Sequence, residues 1–298
     1  MYVKTQFNIK DLENLSGVKA HTIRIWEKRY NLLEPNRTDT NIRKYDLESL
    51  KKLLNVTYLY NEGFKISKIA RLSDSEIQHI IEDQSSENKY EYALNAFKKS
   101  MFDFDYELFS STEQKLMADL NLREIFLNVY LPLLMEIGTL WQTGTIDPAH
   151  ERFISELIKQ RIIVAITQQQ AQQTPDKSKP VFALYLPYQE IHEIGLLYAH
   201  YEVLAAGYPT IYLGNNIPLS SLRHVLKHYD NVKFITYMTV QPDTQSIMEY
   251  LKDYQQTICT DKSYPLWLMG WKTRDVDPNT AGDNIKTIGT IEQLIEAL

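Results

Sequence analysis

The stretch Val18-Lys-Ala-His21-Thr-Ile-Arg24-Ile-Trp26-Glu-Lys28-Arg-Tyr30, with Pro35, Arg37 and Asn41-Ile-Arg43-Lys-Tyr45 behind it, decides the reading of this chain. Ile23 and Trp26 lie three apart and turn to one side of a helix from Thr22 to Tyr30. Arg24, Lys28 and the Arg29-Tyr30 end are left facing outward. Asn31 to Asn41 has no apolar period and carries further arginine, so it reads as a loop or wing. A short cationic helix followed by a basic wing is equipment for duplex DNA. Arg24 and Tyr30 are placed at base edges and phosphates, and Arg37, Asn41 and Arg43 at the backbone or minor groove. Lys28, Lys44 and Tyr45 assist them.

Charge supports that division of labour. Residues 1–71 hold 14 Lys+Arg against 8 Asp+Glu, a balance of +6, whereas the remaining residues hold 18 against 30, a balance of −12. The overall acidity hides a basic head that can neutralise phosphates on a body that a polyanion repels.

Working outward, Ile9–Gly17 reads as a first helix with Leu12 and Leu15 on its apolar side. Leu47, Leu50, Leu53, Leu54 and Tyr58 give a third helix, and residues 66–70 a short fourth. Ser73 to Asn88 is polar and acidic and reads as a tether. Helical spacing then runs over 88–100, 104–118, 121–143 and 147–173, a four-helix bundle. Gln168 to Pro180 reads as a linker. Beyond it the period changes: apolar runs at 181–186, 210–213, 232–237, 266–269 and 285–288 alternate with helices near 191–206, 220–228, 245–256 and 291–298. That alternation points to a doubly wound parallel sheet. The fold class expected is multidomain α plus α/β, with a winged helix-turn-helix over 1–74, a four-helix bundle over 88–173, and a Rossmann-like or flavodoxin-like sheet domain over 180–298.

A chain of 298 residues with 44% hydrophobic content and only 10 Gly and 11 Pro suits two or three ordered domains. Apolar runs fall short of a membrane span and residues 1–10 lack a signal-peptide core, so a cytoplasmic protein without membrane partners is expected. The lone Cys259 rules out an intramolecular disulfide. There is no catalytic triad, phosphate-cradling glycine loop or two-metal carboxylate set, so no enzyme is expected. His150, His200, His224 and His228 read as surface or capping residues.

Three segments together resemble one family. The first 70 residues resemble the DNA-binding domain of MerR-type winged-helix regulators, on His21-Thr-Ile-Arg24-Ile-Trp26-Glu27, Tyr30, Leu33, Pro35, Arg37, Arg43 and Tyr45. The order of bundle and sheet domain resembles the subgroup with a cobalamin-binding module, which includes light-responsive repressors of carotenoid genes. Glu190-Ile-His192-Glu-Ile-Gly195 matches that module's (Asp/Glu)-x-His-x-x-Gly pattern. The resemblance implies that His192 ligates cobalt, that Glu190 takes its Nδ1 proton and raises its basicity, and that Gly195 gives the corrin room. Trp141-x-x-Gly144-x-Ile146 with Glu151 and Ser155 resembles the segment over the upper corrin face, where the tryptophan shields the upper ligand and the glutamate contacts an adenosyl group. Adenosylcobalamin or methylcobalamin is the cofactor so implied.

The pattern also breaks. Gln142 and Arg152 stand where relatives of this kind carry histidines. Met238 replaces a serine after the third strand, and Trp271 replaces the second glycine of a pair after the fourth. A Trp ring there fills the channel for the cofactor's nucleotide tail unless it swings out. Two readings of the sheet domain stay open: a cobalamin or other small effector binds, or cofactor binding is lost. One winged helix buries too little surface for tight specific binding, so a dimer or higher oligomer on a repeated operator is expected. A corrinoid-dependent methyl-transfer module is the alternative from another class.

Overall fold

Asn8 nucleates the amino-terminal head. Its side chain accepts the amides of Lys10 and Asp11, and Asp11 returns a bond to the Asn8 amide, a reciprocal cap that starts α1 (Ile9–Ser16). Gly17, at φ 73°, ends it in the left-handed region that a glycine adopts without strain. α2 (Ala20–Tyr30) follows, and a two-stranded antiparallel wing pairs β1 (Asn36–Arg37) with β2 (Arg43–Lys44). α3 (Leu47–Asn61), capped by Asp46, and α4 (Ile66–Ile69) complete the head. Leu12, Leu15, Ile23, Trp26, Leu50, Leu53 and Leu54 are buried in its core, the apolar faces that the spacing predicts. The computed structural model describes residues 4–84, 87–172, 174, 176–243 and 245–298. The chain divides into two compact units, Met1–Ile158 and Lys159–Leu298.

The tether expected over Ser73–Asn88 is instead largely a helix, α5 (Asp74–Gln84). Ile77 and Ile81, one turn apart, are buried, and the helix lies against α3. Two isoleucines at helical spacing anchor a segment whose polar composition reads as linker. Residues 85 and 86 of that stretch lie outside the described residues.

The helical middle comprises α6 (Lys89–Asp103), α7 (Tyr106–Met117), α8 (Leu122–Ile125), one π-helical turn (Phe126–Tyr130), α9 (Leu131–Gln142) and α10 (Pro148–Gln172). Phe97, Met101, Phe109, Phe126, Leu133, Ile137, Ile154 and Ile158 are buried within the first unit. His150 is buried too, so of its two readings, surface or capping residue, the surface one is corrected and the capping one kept. Its ring stacks on Phe104 at 5.2 Å and lies 5.1 Å from Phe102, and its Nδ1 accepts the Asp147 amide. Burial lowers its pKa, against the opposing pull of Asp147.

The head is packed against this middle within the first unit. The Phe7 ring meets the Phe102 edge at 5.8 Å, Lys51 reaches Asp103 at 3.3 Å, and Asn14 Nδ2 donates to Thr145 Oγ1 at 3.0 Å. Lys4 Nζ donates to the Gly144 carbonyl at 3.0 Å. The Gln-rich stretch read as the start of a linker is helical through Gln172, because glutamine is a good helix former. Residues 173 and 175 of the expected linker lie outside the described residues.

The second unit carries β3 (Val181–Tyr185), α11 (Ile194–Ala205), β4 (Thr210–Gly214), α12 (Leu219–Leu226), β5 (Val232–Tyr237), α13 (Ile247–Ile258), β6 (Leu266–Met269), a 3-10 turn (Trp271–Asp275), β7 (Ile285–Ile288) and α14 (Ile291–Ala297). All strand pairs are parallel, in the order β4-β3-β5-β6-β7. α12 and α13 share the core of one face with Tyr185, Phe234, Met238 and Leu268. α11 and α14 pack together and against strands of the same sheet. His200, on α11, is buried, again correcting the surface reading: its ring stacks on Tyr212 and its Nε2 meets Thr210 Oγ1 at 2.9 Å. Burial pushes its pKa down to about 4. The strand order reverses between β3 and β5, and the crevice outside their carboxyl ends is where such sheets bind ligands.

Candidate functional site

Burying Ile23 and Trp26 turns the other side of α2 outward, so Arg24, Lys28 and Arg29 are exposed and Tyr30 is half-buried. Arg29 lies 5.6 Å over the Tyr30 ring. The wing turn closes through Asn41 N–H to the Thr38 carbonyl and Thr38 N–H to the Ile42 carbonyl, with Asn41 at φ 63°. Arg37 and Asn41, both exposed, are paired with each other, Nη1 to Oδ1 at 2.6 Å. Arg43 Nε donates to Glu27 at 3.0 Å. Tyr45 is only 1% exposed and its hydroxyl donates to the other Glu27 oxygen at 3.0 Å. Burial and then that carboxylate raise the phenol's pKa. The expected outward role of Tyr45 is therefore corrected: its ring belongs to the core, and it sets the wing instead of touching a ligand. Glu27 is the residue that sequence reasoning passed over. A single carboxylate on the basic helix joins α2 to Arg43 in β2 and to Tyr45 just beyond it, and its presence among basic residues is the signal that could have exposed it.

In the middle domain, Trp141 stands 54% exposed at the end of α9, so it is no ordinary core tryptophan. Gly144, at φ 64°, turns the chain into α10, where Glu151 is half-buried beside Arg152, their side chains 3.6 Å apart. Gln142 is exposed and Ser155 is buried.

In the second unit, Glu190 sits on the loop after β3 and is 1% exposed. Its Oε2 accepts the amides of Thr239, Val240 and Gln241 on the loop after β5, at 2.9, 2.9 and 3.0 Å. Its Oε1 accepts the amides of Ile191 and His192 at 3.0 and 3.1 Å and also bonds the His192 Nδ1. Burial alone would raise this carboxyl. The imidazole and the amides of Gln241, Val240 and His192 outweigh it and hold the pKa at about 2. The ionised carboxylate fixes the Nδ1 proton and turns Nε2, on a half-exposed ring, into the donor position. Tyr188, Ile191, Val240 and Trp271, on the loops after β3, β5 and β6, expose apolar surface. Trp271 is 58% exposed, with the Arg274 guanidinium 3.5 Å over its ring. Met238 is fully buried on the α12 and α13 face.

Gly195 opens the first turn of α11, and a Cβ there would lie 2.5 Å from Tyr237 Cζ. The room this glycine leaves is taken by the Tyr237 ring. Gly195→Ala should therefore cost about 1–3 kcal/mol by overpacking. The loss should shrink in a Tyr237→Ala background, a coupling that urea denaturation of the four proteins measures; additive losses would refute it.

Residues 7–76 match the model of the MerR HTH family regulatory protein, and residues 93–165 match the B12 binding domain. The chain joins a MerR HTH domain to a B12-binding domain. The HTH-type transcriptional repressor CarH of Myxococcus xanthus is 27% identical over 223 residues, covering 72% of this chain and 73% of that protein. The repressor CarA of the same organism is 25% identical over 218 residues, 72% and 70% respectively. Both repressors are thus distant relatives of this chain. Its helical middle and parallel sheet share the fold of the monomethylamine corrinoid protein of Methanosarcina barkeri, with a TM-score of 0.55 at 11% identity over 70% of this chain and 97% of the other. Among the described residues no helix is long and apolar enough to cross a membrane.

Proposed function

We propose that this protein is a sequence-specific, DNA-binding transcriptional regulator and not an enzyme. Its helical and sheet domains sense an effector and set its assembly. The observation that carries the reading is the α2–wing surface, where Arg24, Lys28, Arg29, Arg37 and Asn41 are exposed on the side that Ile23 and Trp26, buried in the head's core, leave facing outward. Arg24 and Tyr30 face the major groove, Arg37 and Asn41 the backbone or minor groove, and Glu27 holds Arg43 at the wing's base. Two or more copies bind a repeated operator, because one such head covers too little DNA. The repressor relatives support regulation over catalysis.

The effector class that the second unit favours is a corrinoid. One imidazole cannot complete a coordination shell, so a metal at His192 Nε2 would carry most of its ligands with it. The exposed apolar rim of Tyr188, Ile191, Val240 and Trp271 suits a broad, largely apolar ring. When bound, the cobalt would supply a coordination bond that His192 completes, while Glu190, bonded to Nδ1, keeps the ring aimed. The donor side fits such a group. The room that the resemblance gives the corrin beside Gly195 does not, with the Tyr237 ring where it is.

A mobility-shift titration of the full chain on its own promoter fragment against random competitor tests the reading. Preference for the promoter is expected, and Arg43→Ala should weaken it several-fold, less than a base-contacting arginine, because its Nε is spent on Glu27. Equal binding of promoter and competitor at low salt would remove the proposal.

A further inference from the structure

We propose that Tyr237 is a plug that fills the room beside Gly195 and so keeps a corrinoid from seating fully on His192. The inference rests on the corrinoid reading of His192 given above. Three atoms of the Tyr237 ring, Cζ, Cε2 and Cε1, lie 2.5, 2.6 and 2.9 Å from where a Gly195 Cβ would stand. The ring therefore occupies the notch at the start of α11, and any group entering beside Gly195 would collide with it.

The backbone on both sides of the plug is fixed. Tyr237 pairs with Met269 in the β5–β6 register, the Met238 amide donates to the Met269 carbonyl at 2.9 Å, and the next three amides are tied to Glu190. Only rotation of the side chain can clear the notch. Burial and then the charge of Glu190 raise the phenol's pKa, which places the neutral ring beside the anchored carboxylate. The two residues that sequence comparison singles out as blockers are elsewhere. Met238 points into the opposite core, and Trp271 lies out against Arg274.

The test uses the full chain, hydroxocobalamin and gel filtration with a visible spectrum. Tyr237→Ser should retain hydroxocobalamin about tenfold or more tightly than wild type, a gain of about 1.4 kcal/mol or more, and His192→Ala in that background should abolish the gain. Tyr237→Phe, which keeps the ring, should bind like wild type. Tyr237→Thr, with the branched side chain that a strand end tolerates, provides a second opened variant. Wild type retaining hydroxocobalamin as tightly as the opened variants would overturn the proposal, as would opened variants that gain nothing while still shifting the promoter fragment. That promoter shift, measured on every variant, separates failure of the plug from failure of the regulatory reading.

Discussion

Glu190→Ala is expected to destabilise the second unit by about 3 kcal/mol, lowering its urea midpoint at pH 7. The carboxylate is the common acceptor for five backbone amides drawn from two loops, and for the His192 ring. Truncation leaves those donors facing each other in a site closed to water. Glu190→Gln keeps the shape yet turns an amide NH2 toward some of the same donors, so it should recover only part of the loss. The pH dependence has a definite sign. A carboxyl held at about 2 in the folded state against its ordinary 4.5 stabilises the fold fully above pH 4.5 and loses that contribution as pH falls through 2. Wild type should therefore weaken between pH 4.5 and 2 more steeply than Glu190→Gln. Equal acid slopes, or equal urea midpoints at pH 7, would show that the loops are held by something else.

Arg24→Ala should cost the largest share of operator recognition, about 10- to 100-fold, the 1–3 kcal/mol of one arginine–base pair. Arg24 is exposed on the face opposite Ile23 and Trp26, and among the described residues no carboxylate is bonded to it as Glu27 is to Arg43. Lys28→Ala should behave differently, weakening promoter and competitor alike and reducing the salt slope by about 1, because a lysine contributes charge more than direction. Fluorescence anisotropy on the promoter and a scrambled duplex at two salt concentrations separates the two patterns. Loss of affinity on Arg24→Ala that is equal for both duplexes would assign Arg24 to the phosphates.

Legibility in the sequence followed range. Ile23 and Trp26, or Leu12 and Leu15, declare a helix face because residues three or four apart are neighbours on any helix. The strand-and-helix alternation after residue 180 declares a parallel sheet on the same local grounds. The reading failed where a weak local signal was completed by packing: Ile77 and Ile81 needed α3 to become a helix face, and His150 needed Phe102 and Phe104 to become a core residue. Tyr45 was misplaced for the same reason. Its aromatic ring suits a DNA surface as well as a core, and only the position of Glu27 decides between them.

The chain alone, then, determined the element types, the basic head on an acidic body, and the Glu190–His192 pair, two residues apart and bound to meet on one loop. Tertiary structure decided which side chain fills which space. Glu190 meets the amides of residues 239–241, Gly195 yields to Tyr237, and Asn14 reaches Thr145. Those pairs are about 40 to 130 positions apart, beyond any periodicity. They meet because β3 and β5 are adjacent in the sheet although β4 lies between them in the chain, and because the head packs on the helices that follow it.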